Sequence, residues 1–282
     1  MKIGILGQGY VGTAIKTGFE YQYKKINTFD KYHKSKSTIS SLEKLIELSE
    51  IIFICLPTPM KKDGECDTQI VEKEIIKINK YSNKRKIVVI KSTIPPGTTK
   101  KINNSNQNID VIFNPEFLTE LNFVKDFKNQ NRIVLGGGEE KSIDILTQMY
   151  SKVFPNIPII KTDSSTAEMI KYFTNTFLAT KVSFSNEIKM ICNKIGVKYD
   201  DVVKFSLYDQ RLGQSHWAVP GPDGKLGFGG SCLPKDLNAL IYLADQNNLD
   251  LDLLKSVWKT NLKVRPEKDW ENLKGRAVVK ED

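Results

Sequence analysis

The string Gly7-Gln8-Gly9-Tyr10-Val11-Gly12 constrains the fold of this chain more than any other stretch. GxGxxG is common by chance, and its weight here comes from context. The apolar opening Lys2 to Leu6 reads as a strand, and helical pattern follows the glycines. Between a strand and a helix, such glycines make a tight turn, admit a pyrophosphate to the backbone and let the helix pack on the sheet. The helix N-terminus then faces the phosphates.

The chain continues in keeping with that start. Short β-branched runs at Ile26 to Asp30, Ile51 to Leu56, Lys86 to Ile90, Asp110 to Asn114 and Arg132 to Gly136 alternate with helical stretches, and Ile157 to Lys161 is a further apolar run. This is the pattern of an α/β fold, a Rossmann-type doubly wound parallel sheet covered by helices. Asp30 ends the second strand, where a carboxylate accepts hydrogen bonds from the adenosine ribose and repels a 2′-phosphate. The cofactor expected is therefore NAD rather than NADP.

Beyond this region the pattern changes. Ser165-Thr166-Ala167-Glu168 reads as a capping box, and apolar residues recur at helical spacing through Ile170, Phe173, Phe177, Leu178, Val182, Ile188, Ile191 and Ile195. Gly196 is placed to cap that helix. The reading is one helix of about eight turns, long enough for a spine or a dimer contact, so the second domain is all-helical and built on it. The domain boundary is expected near Lys161 to Ser165. More helix follows from Asp200, then a Gly/Pro-rich loop from Gly213 to Gly230, then a helix from Pro234 to Gln246.

Composition excludes several classes. The formal net charge of +9 comes almost entirely from lysines scattered without a basic block, so nucleic acid is not the expected partner. No apolar run is long enough to cross a bilayer, and the opening run is too short for a signal peptide. The four cysteines, Cys55, Cys66, Cys192 and Cys232, form no CxxC pair, which fits reduced thiols in a cytoplasmic protein, and no metal site is expected. Cys232 stands apart from the others. Glycines precede it and Pro234, a residue favoured at helix starts, follows it, so its thiol belongs at a helix N-terminus where a thiolate is stabilised.

Four further stretches accompany the opening glycines: Pro57-Thr58-Pro59, Lys91-Ser92-Thr93-Ile94-Pro95-Pro96-Gly97-Thr98, Asn114-Pro115-Glu116-Phe117-Leu118-Thr119-Glu120, and Gly227-Phe228-Gly229-Gly230-Ser231-Cys232-Leu233-Pro234-Lys235-Asp236. Together and in this order they resemble the UDP-glucose and GDP-mannose dehydrogenase family, from Met1 to about Leu262. The resemblance implies NAD-dependent four-electron oxidation of a nucleotide-sugar C6 alcohol to the acid, UDP-glucose to UDP-glucuronate foremost with UDP-N-acetylmannosamine and GDP-mannose left open, through a thiohemiacetal and a thioester on Cys232. It implies a Lys and an Asn in KxxxN spacing, Lys171 and Asn175, that stabilise the alkoxide and the oxyanion. Glu120 matches a base for hydrolysis, Asp236 an aspartate that orders water and the lysine, Thr93 a contact to that water and the nicotinamide, and Lys235 a lysine near the cofactor phosphates. Cofactor contacts are expected from Gly7, Gly9, Tyr10, Val11, Gly12, Asp30, Thr58, Thr93 and Lys235, and substrate contacts from Glu116, Phe117, Leu118, Lys171, Asn175, Arg211, Phe228 and Gly229.

The implied division is an NAD-binding domain at 1–162, a helical central and dimerisation domain at 163–265 holding the catalytic cysteine, and a tail at 266–282. Family members continue into a third domain that grips the nucleotide and carries GLAFKxxTDD, a string this sequence does not include. Either the loop Val219 to Leu226, with Arg211 and His216, supplies nucleotide contacts across a homodimer, or the substrate is smaller; Trp270 to Arg276 reads as a docking tail. Two other classes stay open. One is a two-electron hydroxyacid or sugar-acid dehydrogenase, against which the setting of Cys232 argues. The other is a non-catalytic NAD-binding protein, against which the retained reactive residue types argue.

Overall fold

The computed structural model describes residues 1–280, which divide into two compact units, residues 1–58 with 68–171, and residues 59–67 with the described residues from 172 on. The first unit holds β1 (Ile3–Leu6), α1 (Tyr10–Phe19), β2 (Ile26–Phe29), α2 (Leu42–Leu48), β3 (Ile51–Ile54), α3 (Gln69–Tyr81), β4 (Lys86–Ile90), α4 (Thr98–Asn104), β5 (Ile109–Phe113), α5 (Phe123–Lys128), β6 (Ile133–Gly136), α6 (Glu140–Val153) and β7 (Ile159–Thr162). Helix α7 (Ser164–Ile195) begins in this unit and continues into the second. Each expected strand forms within two residues of its expected ends.

The strands form one seven-stranded sheet in the order β2-β1-β3-β4-β5-β6-β7, and all pairs are parallel except β5 with β6. Successive side chains of a strand point to opposite faces, and both faces are covered. Ile51 and Phe53 pack with Ile15 and Phe19 of α1 and Met149 of α6, whereas Ile52 and Ile54 pack with Leu45 of α2 and Ile75 of α3. Burial on both sides explains why these strands read as continuous apolar runs rather than alternating ones. Strand β1 lies between β2 and β3, so the strand order reverses there, and ligands of open α/β sheets bind beyond the carboxyl ends of the strands at such a point.

The 32-residue α7 is the predicted long helix, but its start differs from the expected capping box. Asp163 accepts from the Thr166 N–H at 2.9 Å and the Thr166 hydroxyl at 2.5 Å. Glu168, fully buried, instead accepts from the Gly97 N–H at 2.6 Å and the Thr99 N–H at 2.8 Å at the start of α4. A tertiary partner has taken the side chain that a local motif would have used. At the other end Gly196 takes φ +74°, and the Val197 N–H donates to the Cys192 carbonyl, as a Schellman cap requires.

The second unit packs the rest of α7 with α8 (Tyr199–Ser206), α9 (Leu233–Gln246) and α10 (Asp252–Val264). Ala179, Phe228, Leu237 and Val257 form its largest apolar cluster. Its boundaries differ from those expected at 162 and 265. The division falls inside α7, between Lys171 and Tyr172, and residues 59–67 join this unit. Those residues pair with the chain's last stretch: the Met60 N–H donates to the Ala277 carbonyl and the Val279 N–H to that of Met60. Trp270 is 1% exposed and lies 5.2 Å from the Trp258 ring, so the expected docking tail is folded into the core of its own unit.

Glu168→Ala takes from two backbone N–H groups their charged acceptor. It is expected to lower the unfolding free energy by about 2 kcal/mol or more, measured as a lower urea midpoint. An unchanged midpoint would show that water serves those donors equally well.

Candidate active site

In the first unit the glycine turn has the geometry its sequence suggested. Gly7 takes φ +93°, and a side chain there would meet the Cys55 carbonyl oxygen at 2.4 Å; one on Gly12 would meet the Gly7 carbonyl oxygen at 1.9 Å. Gly9 caps the N-terminus of α1, and a Cβ on it would face open space. Donors aimed outward from a helix start with room in front of them fit a pyrophosphate. Tyr10 stands at this helix start, 39% exposed and 5.1 Å from the Phe123 ring, and Val11 packs against the core.

A cavity of about 910 Å³ opens beyond β2, with Phe29, Ile39 and Leu48 as apolar walls and Asp30, Lys34 and Ser37 among its polar groups. Apolar walls with an acid between them fit an adenosine. Asp30 Oδ2 accepts from the Gln8 N–H at 2.6 Å, and Oδ1 accepts from the Tyr32 and His33 N–H groups at 2.8 and 2.7 Å. Burial pushes this carboxyl up, but those three N–H groups and His33 outweigh it and hold it below the usual range. A carboxylate offers about four acceptor positions, so three local donors leave capacity for a ligand hydroxyl.

The ends of β3, β4 and β5 carry the next group. The Thr58 hydroxyl donates to the Thr93 carbonyl at 2.7 Å, and the Ser92 hydroxyl to the Leu56 carbonyl at 2.6 Å. Lys91, 5% exposed, donates to Asn114 Oδ1 at 2.8 Å and to the Pro115 carbonyl at 3.3 Å. Burial depresses this ammonium to about 8, with Cys55 and Glu116 opposing the shift and Lys171 adding to it. Burial pushes the neighbouring Cys55 thiol up to about 12, with Glu116 adding to the shift and Lys91 opposing it.

Glu116 is paired with Lys171, whose Nζ donates to the Glu116 carbonyl at 2.7 Å and to Oε1 at 3.0 Å. The Leu118 N–H donates to Oε2 at 2.7 Å. The Phe117 ring has the Arg132 guanidinium 3.9 Å above it. Thus Glu116, Phe117, Leu118 and Lys171 are brought together, while Glu120 lies beyond them in a turn, partly exposed.

In the second unit Cys232 occupies the N-cap position of α9. Leu233 is the first helical residue, so Pro234 stands one place further in than expected. Asp236, 1% exposed, accepts from Asn175 Nδ2 at 2.5 Å and from the Lys235 ammonium, and its N–H donates to the Cys232 carbonyl at 3.0 Å. Burial disfavours the Lys235 charge, but Asp236, Cys66 and Cys232 outweigh it and hold the ammonium above its ordinary range. Lys235 therefore answers Asp236 and the thiol in this unit.

Phe228 and Gly229 have structural occupations. The Phe228 ring is buried and its N–H and carbonyl both bond Asn261, at 2.7 and 2.9 Å. A Cβ on Gly229 would meet Arg265 Nη2 and Asp269 Oδ1 at 2.4 Å each. Arg211 is exposed and paired with Asp209, and His216 takes φ +70°. Asn186, Asn261, Arg265 and Asp269, all holding the glycine loop, were not singled out in the sequence. The available signal was a polar pair, Asn261 and Arg265, at i,i+4 spacing at the end of an amphipathic helix.

Among the described residues no helix is long and apolar enough to cross a membrane, and no group of three or more His, Cys, Asp or Glu is arranged to hold a metal ion. Residues 33–154 match the NAD binding domain of the UDP-glucose/GDP-mannose dehydrogenase family, and residues 165–263 its central domain. The UDP-glucose 6-dehydrogenase of Rickettsia felis is 36% identical over 94% of this chain and 65% of that protein. The UDP-glucose 6-dehydrogenase YwqF of Bacillus subtilis is 40% identical over 79% of this chain and 50% of that protein. A UDP-glucose dehydrogenase structure from Pyrobaculum islandicum superposes with a TM-score of 0.85 at 28% identity, covering 96% of this chain and 70% of that one. The chain thus spans between half and two thirds of these curated relatives. It belongs to the UDP-glucose/GDP-mannose dehydrogenase family, of which it carries the NAD binding domain and the central domain.

Proposed function

We propose that the chain performs NAD-dependent oxidation of a nucleotide sugar, UDP-glucose foremost, converting the C6 alcohol to the acid through a covalent intermediate on Cys232. The observation that carries this reading is the thiol at the start of α9, one helical turn from the buried Asp236 that bonds both Asn175 and Lys235. A helix N-terminus and a nearby ammonium both favour a thiolate. The relatives' printed activities support the nucleotide-sugar class.

Gly7, Gly9, Tyr10, Val11 and Gly12 would hold the pyrophosphate end of NAD, Asp30 its adenosine ribose, and Thr58 and Thr93 its nicotinamide end. When bound, NAD supplies the hydride acceptor, twice for each sugar. Lys171 and Asn175, one turn apart on α7, stabilise the alkoxide and then the oxyanion. Cys232 adds to the aldehyde carbon as thiolate, and loss of the second hydride leaves a thioester. Glu120 takes a proton from the water that releases the acid and restores the thiol. Asp236 holds the Asn175 amide in place and offsets the Lys235 charge. Glu116, besides orienting Lys171, lies beside Phe117 and Leu118, which would line the sugar. Tethering the aldehyde through cofactor exchange prevents its escape.

A homodimer is part of the proposal. Phe173, Phe177, Phe184, Ile191 and Ile195 lie along α7 at spacings of four and seven residues, each more than half exposed. A second copy covering this seam would bury it, and the exposed Arg211 would then be available to a neighbour's substrate.

NAD is expected to bind more tightly than NADP, and Asp30→Ala to weaken NAD by roughly 1 to 3 kcal/mol in fluorescence titrations; equal affinity of the unmodified protein for both cofactors rejects this role. Sedimentation equilibrium at micromolar concentration is expected to give a dimer, and a monomer removes the α7 interface. With UDP-glucose the protein is expected to form about two NADH per acid released and Cys232→Ser at most about one per sugar. Acid formation by Cys232→Ser at an unchanged rate ends the covalent mechanism, and one NADH per product in the unmodified protein makes it a two-electron dehydrogenase.

A further inference from the structure

The glycine loop in front of Cys232 has no regular secondary structure, yet its backbone polar groups are claimed one after another by side chains, most of them buried. The Gly227 N–H donates to Asn186 Oδ1 at 3.2 Å, and Phe228 is bonded on both sides by the fully buried Asn261. The Leu226 carbonyl accepts from Arg265 Nη1 at 3.2 Å, and the Gly230 N–H donates to Asp269 Oδ2 at 3.1 Å. Arg276 Nη2 donates to the Ser231 hydroxyl at 3.2 Å.

Arg265 is the hub of this arrangement. Its side chain is 2% exposed, and its Nε and Nη2 donate at 2.6 Å to Asp269 Oδ1 and Asp223 Oδ2, carboxylates that follow and precede the loop in sequence. Three directions of bonding from one rigid plane are available to arginine and not to lysine. The geometry also explains Gly229, since any side chain there would occupy the space of the Arg265–Asp269 pair. The loop is therefore glycine-rich partly so that an ion pair between the buried Arg265 and the partly exposed Asp269 can press against it.

We propose that Arg265 and Asp269 are positioning residues for Cys232: they lock the loop from Leu226 to Gly230, so the thiol is presented rigidly at the N-terminus of α9 beside Lys235. This deepens the function proposed above and rests on the reading of Cys232 as nucleophile. The closing stretch of the chain, which supplies Asp269 and Arg276, is then part of the thiol's support. A helix dipole acts only within its first turn, so a loosened loop costs the thiolate its stabilisation while leaving the thiol itself intact.

The test uses iodoacetamide alkylation of the full chain, with Cys232 followed by peptide mass spectrometry across pH, for the unmodified protein, Arg265→Lys and Asp269→Asn. The expected result is alkylation about tenfold slower at pH 7 in both variants, with the rate profile moved up by about one pH unit, while NAD binding is unchanged. Faster alkylation at every pH with an unmoved profile would mean that the clamp merely shields the thiol, and would overturn the proposal. So would unchanged rates in both variants, or global unfolding of both by circular dichroism, which would assign the pair to the stability of the whole unit. If Cys232 of the unmodified protein reacts no faster than an unstructured cysteine peptide, the nucleophile reading itself fails, an outcome distinct from the others.

Discussion

Buried charge at the start of α7 is the constraint from which the rest of the first unit's chemistry follows. Glu168 and Lys171 lie within one turn of each other, both nearly inaccessible to water, and each is answered by the sheet's own loops: Glu168 by the N–H groups of Gly97 and Thr99, Lys171 by the carbonyl and carboxylate of Glu116. Unpaired, either charge would be costly to bury. Paired, they set how α7 leaves the sheet and which way its Lys171 points.

Lys91 extends the same logic inward. Its ammonium joins Asn114 and Pro115, so the turn that carries Glu116 is held by Lys91 as well as by Lys171. Asn114 is itself bonded to the Val134 carbonyl and to the Tyr150 hydroxyl. Fully satisfied polar networks of this kind specify a single arrangement because each alternative strands a buried donor. Burying Lys91 is costly to its charge, and burial pushes the ammonium down to about 8.

The second unit solves the corresponding problem for a thiol with neutral and charged side chains acting on backbone. Asp236 binds Asn175 and Lys235 on one side of Cys232, while Asn261, Arg265 and Asp269 bind the glycine loop on the other. Most side-chain hydrogen bonds in proteins go to backbone or water, and here that general tendency fixes a segment with no ladder of its own. Residues 59–67 add their pairing with the chain's closing stretch, so Met60 meets Ala277 and Val279, far along the sequence, in one unit.

What the sequence by itself determined is what local physics writes into it. Short β-branched apolar runs placed the strands and a period-3.6 pattern placed α7, the glycines at 7 and 12 were legible because only glycine tolerates the approach of the backbone there, and Cys232 was legible from the glycines and proline around it. Tertiary structure alone decided the partners. Glu168 has the spacing of a local cap yet serves a distant helix, Lys91 stands at a strand end yet is buried, and Asn261 and Arg265 were not legible because the loop groups they bond, at Phe228 and Leu226, lie far upstream in the chain. Propensity and periodicity act between neighbours in the chain, whereas a buried polar group is selected by whichever group faces it after folding, and that identity is not written beside it.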